Sequence, residues 1–387
     1  MVSAATGVPR QHGGAGGPLS AADRARAAIT RRIAPVAVSG APLGRPSPRP
    51  TGSERMPLPE PRGPLSAELI AVLTGDDPAA RGLGPAARQA LRSADVLADE
   101  DLQLYLTLSY ELHYRGIAGV SDSWEWNPAL LLVRSLVERV FEAALRAAAD
   151  ADRPLPADPD AAVRELQAMT RSATDRSLAA YLADCATADQ LREFLIVRSA
   201  ARQKRADPQA FVVPRLAGAA TAAMAAMVQG PAEGQPHQPG EPDPAARYAD
   251  AMRALDLDSH YGAQLDRVPA VALVSVNAMS LFALHRRLSG AMVGHAAAQL
   301  MTSAAVDHGW QQGLLRLDAG DRATGPLGRR PEVVQRMAGG SLAGDLAADQ
   351  PGLIADLMFG ARACLVLQEI LTDHLLNSWQ RGGSALR

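Results

Sequence analysis

Aromatic residues are scarce in this chain, although apolar residues are abundant. Phe, Trp and Tyr make up 4% of the 387 residues, whereas hydrophobic residues of all kinds make up 47%. A large core must therefore be built from Ala, Leu, Val and Met, which suits close-packed helices better than sheets. The sequence also lacks an alternating apolar and polar run flanked by turn signals. The composition predicts an all-α fold with almost no sheet.

Cysteine is equally scarce, and its two occurrences, Cys185 and Cys364, both fall inside apolar helical patterns. We expect two buried free thiols, with a disulfide or a metal-binding pair as the alternative. The residues after Met1 lack the apolar core of a secretory signal. A reducing, cytoplasmic location is the resulting expectation.

An excess of charge of either sign is also missing. The chain has 39 basic and 41 acidic residues and a formal net charge of −2. Nucleic-acid-binding proteins and proteins that bind anionic membranes usually carry a clear positive excess. The charge balance therefore predicts neither kind of partner.

Proline, glycine, arginine and serine dominate residues 1–63, which have little apolar periodicity. Such a segment cannot bury enough apolar surface to fold, so we expect a disordered tail. A start codon further downstream is the alternative. Residues 64–387 are predicted to form one helical domain, with an exposed loop at residues 229–244 that is rich in Pro, Gly, Glu and Gln.

Two helix starts are well marked. Asn127 followed by Pro128 places a capping side chain before a proline at the first helical position. Thr187 and Gln190 have the spacing of a capping box. The helix after Asn127 should run to about Ala148 and bury the face that carries Leu130, Val133, Val137, Val140, Phe141 and Ala144.

The centre of the predicted fold is the stretch from Arg267 to Thr302. Its first half, residues 268–284, contains no ionisable side chain. Gly290 and Gly294 follow four residues apart on one helical face, a spacing that lets another helix approach closely. A pair of central helices in a bundle is the favoured interpretation. A membrane span is disfavoured because it would contain or adjoin Ser275, Asn277, Ser280, Arg286 and Arg287, which are costly in lipid.

Glu111 and His113 are candidate metal ligands near a predicted helix end. They are two residues apart, so a helix directs them about 200° away from each other, and one helix cannot aim both at one metal. Glu111 can instead pair with Arg115, four residues on. His285 and His295 are more typical of hydrogen-bonded packing histidines than of ligands.

A second candidate group lies near the C-terminus. Glu369 and Asp373 share a helical face, and His374 follows directly. This pattern is compatible with a carboxylate site, but a solvated last helix is the favoured interpretation.

Several segments together resemble the heme-oxygenase-like "iron-containing redox enzyme" family of bacterial proteins, over about residues 101–379. The matching segments are residues 110–116 (YELHYRG), 124–131 (WEWNPALL), 206–208 (ADP), 214–218 (PRLAG), 284–288 (LHRRL), 290–291 (GA), 294–295 (GH) and 359–361 (FGA). The resemblance implies a seven-helix bundle in which related proteins bind one or two irons. With that iron they use O2 to oxidise small substrates.

The ligand positions that the resemblance implies are occupied by other residue types. The family pattern has Glu and His four apart, a further Glu on the next core helix, and then His-x-x-x-Asp-x-x-His. Iron that activates O2 needs such imidazole and carboxylate ligands together with open positions. On alignment these positions fall on Arg205, Gln209, Leu300, Leu327, Pro331 and Val334.

Two hypotheses follow from this departure. The first is a diverged member that has lost its iron and acts as a binding or assembly partner, for a small molecule or an intact family relative. Leu300 should then be buried, and Arg205 could pair with Glu111 and fill the former site. The second is an iron-dependent oxidase with a rearranged site that draws on Glu111, His113, Glu369 or His374.

Overall fold

The computed structural model describes residues 55–75, 80–93, 95–151, 153–173, 176–229, 244–317 and 332–387. Most of the predicted tail, the predicted loop after Gln229, and two of the aligned ligand positions, Leu327 and Pro331, lie outside these residues. The following description applies to the described residues.

Helices make up nearly all of the regular structure, as the scarcity of aromatic residues predicted. The α-helices are α1 (Pro64–Thr74), α2 (Leu83–Ala90), α3 (Glu100–Glu111), α4 (Pro128–Ala148), α5 (Pro159–Ser172), α6 (Arg176–Asp184), α7 (Ala188–Lys204), α8 (Ala206–Val212), α9 (Gly218–Gln229), α10 (Pro244–Ala254), α11 (Ala270–Leu284), α12 (Ser289–Arg316), α13 (Glu332–Asp349) and α14 (Ile354–Gln380). In the described part of the chain, the β pairing is limited to one isolated bridge between Met56 and Ile117. The all-α prediction is confirmed.

Residues 55 and 56, which the sequence assigns to the predicted tail, contact the helical bundle. Met56 is 3% exposed, and its backbone N–H donates to the Gly116 carbonyl over 3.1 Å. Arg55 pairs with Asp122 over 2.8 Å. A single apolar residue beside an arginine is too weak a pattern to reveal such an anchor, because both depend on partners that are far away in sequence.

The predicted helix starts are confirmed by their hydrogen bonds. The Asn127 side chain accepts from the backbone N–H groups of Ala129 and Leu130, at 2.9 and 3.2 Å. Thr187 and Gln190 form the reciprocal capping box. The predicted apolar face of α4 is buried at Leu130, Val133, Val137, Val140 and Phe141, and Ala144 packs against the same core.

Helices α11 and α12 form the predicted central pair. The chain leaves α11 in an extended conformation at His285, passes through a 3-10 turn at Arg286–Leu288, and continues as α12. Asn277 is fully buried in α11, where its amide nitrogen donates to the Gln103 carbonyl and side chain, each over 2.8 Å. This polar contact explains how an asparagine is accommodated in an otherwise apolar helix.

None of the helices in the described ranges has the length and apolar character needed to cross a membrane.

Glycines allow α12 and α14 to pack closely. A methyl group at Gly294 would come within 1.9 Å of the Leu357 carbonyl oxygen, and one at Gly360 within 1.9 Å of the Ala291 carbonyl oxygen. Each helix therefore presents a glycine to the backbone of the other. The close approach predicted from Gly290 and Gly294 is thus observed, with α14 as the neighbour.

Only one of the two cysteines has the predicted environment. Cys364 is a buried free thiol, and burial raises its pKa to about 12. Cys185 is also free but exposed, because α6 ends at Asp184, one residue earlier. The prediction that both thiols are buried is therefore wrong for Cys185.

Candidate functional site

Glu111, the last residue of α3, is fully buried and surrounded by hydrogen-bond donors. Lys204 Nζ, at the end of α7, lies 2.6 Å from Glu111 Oε2, and the Tyr261 hydroxyl donates to the same oxygen over 2.9 Å. The Arg115 backbone N–H donates to Oε1 over 3.3 Å. Three donors thus satisfy this carboxylate, and the ammonium balances its charge.

Glu111 forms its ion pair with Lys204, and Arg115 pairs with a different carboxylate. The Arg115 guanidinium pairs with Asp207 over 3.0 Å and lies over the Tyr261 ring, 4.2 Å from its centroid. The predicted Glu111–Arg115 ion pair is therefore wrong, although the Arg115 backbone still donates to Glu111. The ion pair that the structure shows at Glu111 is formed by Lys204, the residue before Arg205.

His113 has a different set of partners. Its Nε2 contacts the Arg134 guanidinium, its Nδ1 lies 3.6 Å from a Glu125 carboxylate oxygen, and its ring packs edge-on against Trp126. Burial, together with the positive charge of Arg134, lowers the pKa of His113 to about 4. Glu111 and His113 therefore serve separate polar contacts, as expected for residues two apart on a helix, and do not form a common ligand pair.

The predicted packing histidines differ from each other. His285 Nε2 lies 3.0 Å from Glu138 Oε2, which confirms the expected hydrogen bond. His295 is 0% exposed, but neither ring nitrogen has a hydrogen-bond partner among the described residues. Burial, and secondarily the charge of Arg205, lowers the pKa of His295 to about 4. His295 is therefore a neutral, buried imidazole.

The described positions that align with the family's ligands do not resemble a metal site. Arg205 is half-buried, and Gln209 is 1% exposed with an amide nitrogen that lacks a partner within the described residues. Leu300 is only half-buried, so the prediction of a buried Leu300 is wrong. Val334, in the first turn of α13, is 41% exposed.

Iron does not fit this set of residues. Arginine cannot ligate a cation and repels it, and Leu and Val have no donor atom. Across the described ranges, no group of three or more His, Cys, Asp and Glu side chains is arranged to hold a metal ion. The side chains that replace the aligned ligands thus disagree with the iron implied by the resemblance.

A cavity of about 690 Å³, named the central cavity because the central helices α11 and α12 contribute to its wall, is partly open to solvent. Helices α4–α7, α11, α12 and α14, together with the α4–α5 connection, contribute to its lining. This volume is in the range of small-molecule sites. Its wall is apolar at Met169, Leu178 and Phe194 and polar at Gln299 and Thr302. Gln299 precedes Leu300 on α12, so the cavity adjoins the position that aligns with a family ligand.

Two arginines of α7, of which Arg198 lines the cavity, share a single carboxylate. Arg198 Nη1 lies 3.0 Å from Asp307 Oδ1, and Arg202 Nη2 lies 2.5 and 2.6 Å from the two oxygens of the same side chain. The exposed fractions of these side chains are 15%, 18% and 17%. The two guanidiniums, with a further contribution from Arg205, hold the pKa of Asp307 below its usual value.

The C-terminal candidates are divided between the cavity and the surface. Glu369 lines the cavity at an exposed position, whereas His374 Nε2 bonds the Ala385 carbonyl oxygen over 2.9 Å. The two side chains therefore do not form a common site. Sequence reasoning missed the Arg198–Arg202–Asp307 cluster, although the four-residue spacing of Arg198 and Arg202 on one helix was a usable signal.

Comparison with known families places the resemblance on the central part of the chain. Residues 192–324, from α7 to beyond α12, match the family whose description is "iron-containing redox enzyme". The resemblance predicted from the sequence is confirmed for this segment, which covers less than half of the chain, and the all-helical fold agrees with it. No curated protein matches the chain. The family name implies iron but says nothing of whether this chain binds it.

Proposed function

We propose that this protein is a diverged heme-oxygenase-like bundle that does not hold the family's iron and acts by binding a small molecule in its central cavity. One observation carries the proposal. The buried carboxylate best suited to serve as a ligand, Glu111, is neutralised by Lys204 and hydrogen-bonded by Tyr261. A metal ion would have to displace an ammonium that lies 2.6 Å away.

The charges near the aligned positions support the same proposal. Arg205 keeps a permanent positive charge at any working pH and, after burial, is the second cause of the lowered pKa of His295. A dication beside His295 would be repelled by the same charge. The neutral imidazole of His295 thus lies near the positive charge of Arg205, which is unfavourable for binding Fe(II).

The cavity favours a small molecule over an assembly role. Its volume of about 690 Å³ and its mixture of apolar and polar walls are typical of sites that enclose a ligand. An intact family relative is the alternative partner. Stable association with such a relative, on coexpression and size-exclusion chromatography, would favour assembly.

The test is iron retention by the purified full-length protein. We load it anaerobically with Fe(II), desalt it and measure iron by elemental analysis, with circular dichroism as the check on folding. We expect iron near background. The matched variant is Glu111→Gln combined with Lys204→Met, because it removes the strongest remaining candidate ligand without leaving a buried ammonium unpaired.

Stoichiometric iron in the unmodified protein would overturn the proposal. If that iron were lost in the folded double variant, the rearranged-site oxidase would become the better hypothesis. Glu369→Gln and His374→Gln would then show whether the C-terminal residues contribute to the same site.

A further inference from the structure

We propose that the central cavity binds a small amphipathic organic anion, with its negative group at Arg198 and its apolar part along the wall formed by Met169, Leu178 and Phe194. This inference rests on the proposed function, because it names the class of ligand that the same cavity would take. It depends on two observations: the charge of the arginine cluster and the character of the wall.

The arginine cluster has more positive than negative charge. Arg198 and Arg202 share the one carboxylate of Asp307, and Arg205 also acts on that carboxylate. Tyr248, which lies near the cluster, has its pKa raised by burial and stays uncharged, with its hydroxyl donating to the Leu195 carbonyl. Two guanidiniums on one carboxylate leave at least one positive charge without a counter-charge.

This uncompensated charge lies at the cavity. Arg198 lines the cavity, whereas Arg202 makes the shorter contacts with Asp307. Burial and repulsion by Arg202 lower the pKa of Arg198. The lowered pKa shows that a second positive charge is unfavourable at this position. An anion in the cavity would offset that cost. Guanidinium groups bind carboxylates and similar oxyanions through two parallel hydrogen bonds.

A second arginine, Arg362, lines the same cavity but is paired within the protein. The side chain of Arg362 is 7% exposed, and its terminal nitrogens bond Glu165 and the Asp150 carbonyl, at 2.8 and 3.3 Å. Its Nε has no hydrogen-bond partner among the described residues. This Nε is buried within the protein, and the charge of Arg362 is balanced by Glu165, so Arg198 remains the group at the cavity that attracts an anion.

The remaining walls set the other properties of the ligand. Leu371 and Leu375 extend the apolar surface, so part of the ligand must be apolar. Asp150, Arg153 and Glu369 also line the cavity but are exposed. These exposed residues are two acids and one arginine, so their net charge is negative, whereas the half-buried Arg198 attracts an anion. Together they orient the negative group inward.

The probes are 8-anilinonaphthalene-1-sulfonate, an amphipathic anion, and N-phenyl-1-naphthylamine, its uncharged counterpart. Fluorescence titration and calorimetry are performed on the full chain in EDTA, so that metal does not affect the result. We expect saturable, one-to-one binding of the anion and much weaker binding of the neutral compound. Raising the salt concentration should weaken the binding of the anion and leave the binding of the neutral compound unchanged.

Two variants test the role of Arg198. Arg198→Gln should weaken anion binding by at least about tenfold, the effect of losing one charge-assisted hydrogen bond, and should leave the neutral probe unchanged. It leaves the Arg202–Asp307 pair intact, so folding should persist. Arg198→Lys keeps the charge and should retain part of the affinity. Arg192→Gln, on the same helix but exposed, is the matched control and should bind like the unmodified protein.

Several outcomes would overturn the inference. They are the absence of saturable anion binding, equal affinity for the neutral probe, and an Arg198→Gln variant that binds the anion unchanged. Ser303→Trp, which places a large side chain in the cavity, should abolish binding, and unchanged binding would place the site elsewhere. If these tests fail and the protein retains no iron, the inference about the anion is wrong but the proposal of a metal-free bundle is unaffected. Retained iron would instead contradict the proposed function itself.

Discussion

Lys204 Nζ lies 2.6 Å from the carboxylate of Glu111, and both side chains are almost completely buried. Lys204 comes from the end of α7 and Glu111 from the end of α3. The contact therefore joins two helices through residues that are 93 positions apart in the sequence. The ammonium also lies 4.7 Å from the centroid of the Tyr114 ring. The Glu111 carboxylate therefore forms an ion pair within the protein.

Loss of the lysine should strongly destabilise the fold. Lys204→Met keeps the length of the side chain but leaves the Glu111 carboxylate buried without a counter-charge. Removing one partner of a buried ion pair typically costs about 3–5 kcal/mol. We expect a loss of this size in the free energy of unfolding, measured by urea denaturation at neutral pH.

The double variant Lys204→Met with Glu111→Gln serves as the test of mechanism. It removes both charges together, so it should recover much of the stability lost in the single variant. Arg192→Ala breaks an exposed pair with Asp189 and should cost less than about 1 kcal/mol. A double variant no more stable than Lys204→Met would show that the ion pair is not the cause.

The glycine contact between α12 and α14 should tolerate no added methyl group. Gly294→Ala would place Cβ 1.9 Å from the Leu357 carbonyl oxygen, so the helices must separate. Overpacking of this kind costs about 1–3 kcal/mol. Gly344→Ala is the control, because its nearest neighbour, Val163 Cγ2, lies at 3.6 Å. It should stabilise α13 by up to about 1 kcal/mol. Thermal unfolding of both variants checks this contrast.

The features that could be predicted are those encoded within a few residues. Asn127 and Thr187 cap their helices through bonds to residues two or three positions on, so the local sequence contains both partners. The apolar residues 268–284 and the spacing of Gly290 and Gly294 likewise predicted the central helix pair. Each of these signals lies within one short segment of the chain, so it can be recognised without knowing how the helices are arranged.

The features that could not be predicted depend on contacts between distant segments. Arg115 is four residues from Glu111 and was the natural partner, yet the side chain that reaches Glu111 is Lys204. Similarly, the carboxylate beside His285 is Glu138, from α4. Spacing on one helix gives the direction of a side chain but not which other helix lies there. The cavity has the same origin, because seven helices contribute to it.

Restoring one acidic ligand should not restore iron binding. Leu300→Glu introduces a carboxylate at the aligned position, but this position is only half-buried. The destabilisation should therefore be modest, about 1 kcal/mol, instead of the several kcal/mol expected for a buried charge. Melting temperatures of the variant with and without Fe(II) should be equal. A rise on adding Fe(II), absent from Leu300→Gln, would contradict the prediction.

The buried His295 should make stability depend on pH in mildly acidic solution. Its pKa is lowered to about 4 in the folded protein, whereas an unfolded histidine has a pKa of about 6.5. Between these values the unfolded chain binds a proton that the folded protein does not, so the free energy of unfolding falls as the pH falls. The shift corresponds to about 3 kcal/mol, fully present above about pH 6.5 and lost towards pH 4.

The variant His295→Leu removes this titrating group while keeping the position apolar. We expect its free energy of unfolding to fall less steeply between about pH 6.5 and 4 than that of the unmodified protein. Some slope should remain, because the pKa of His113 is lowered to about 4 as well. Urea denaturation at several pH values measures the slope. The matched control is His308→Gln, at an exposed position on the same helix, which should keep the original pH dependence. If His295→Leu and the unmodified protein lost stability in parallel, the imidazole of His295 would not be a buried neutral group.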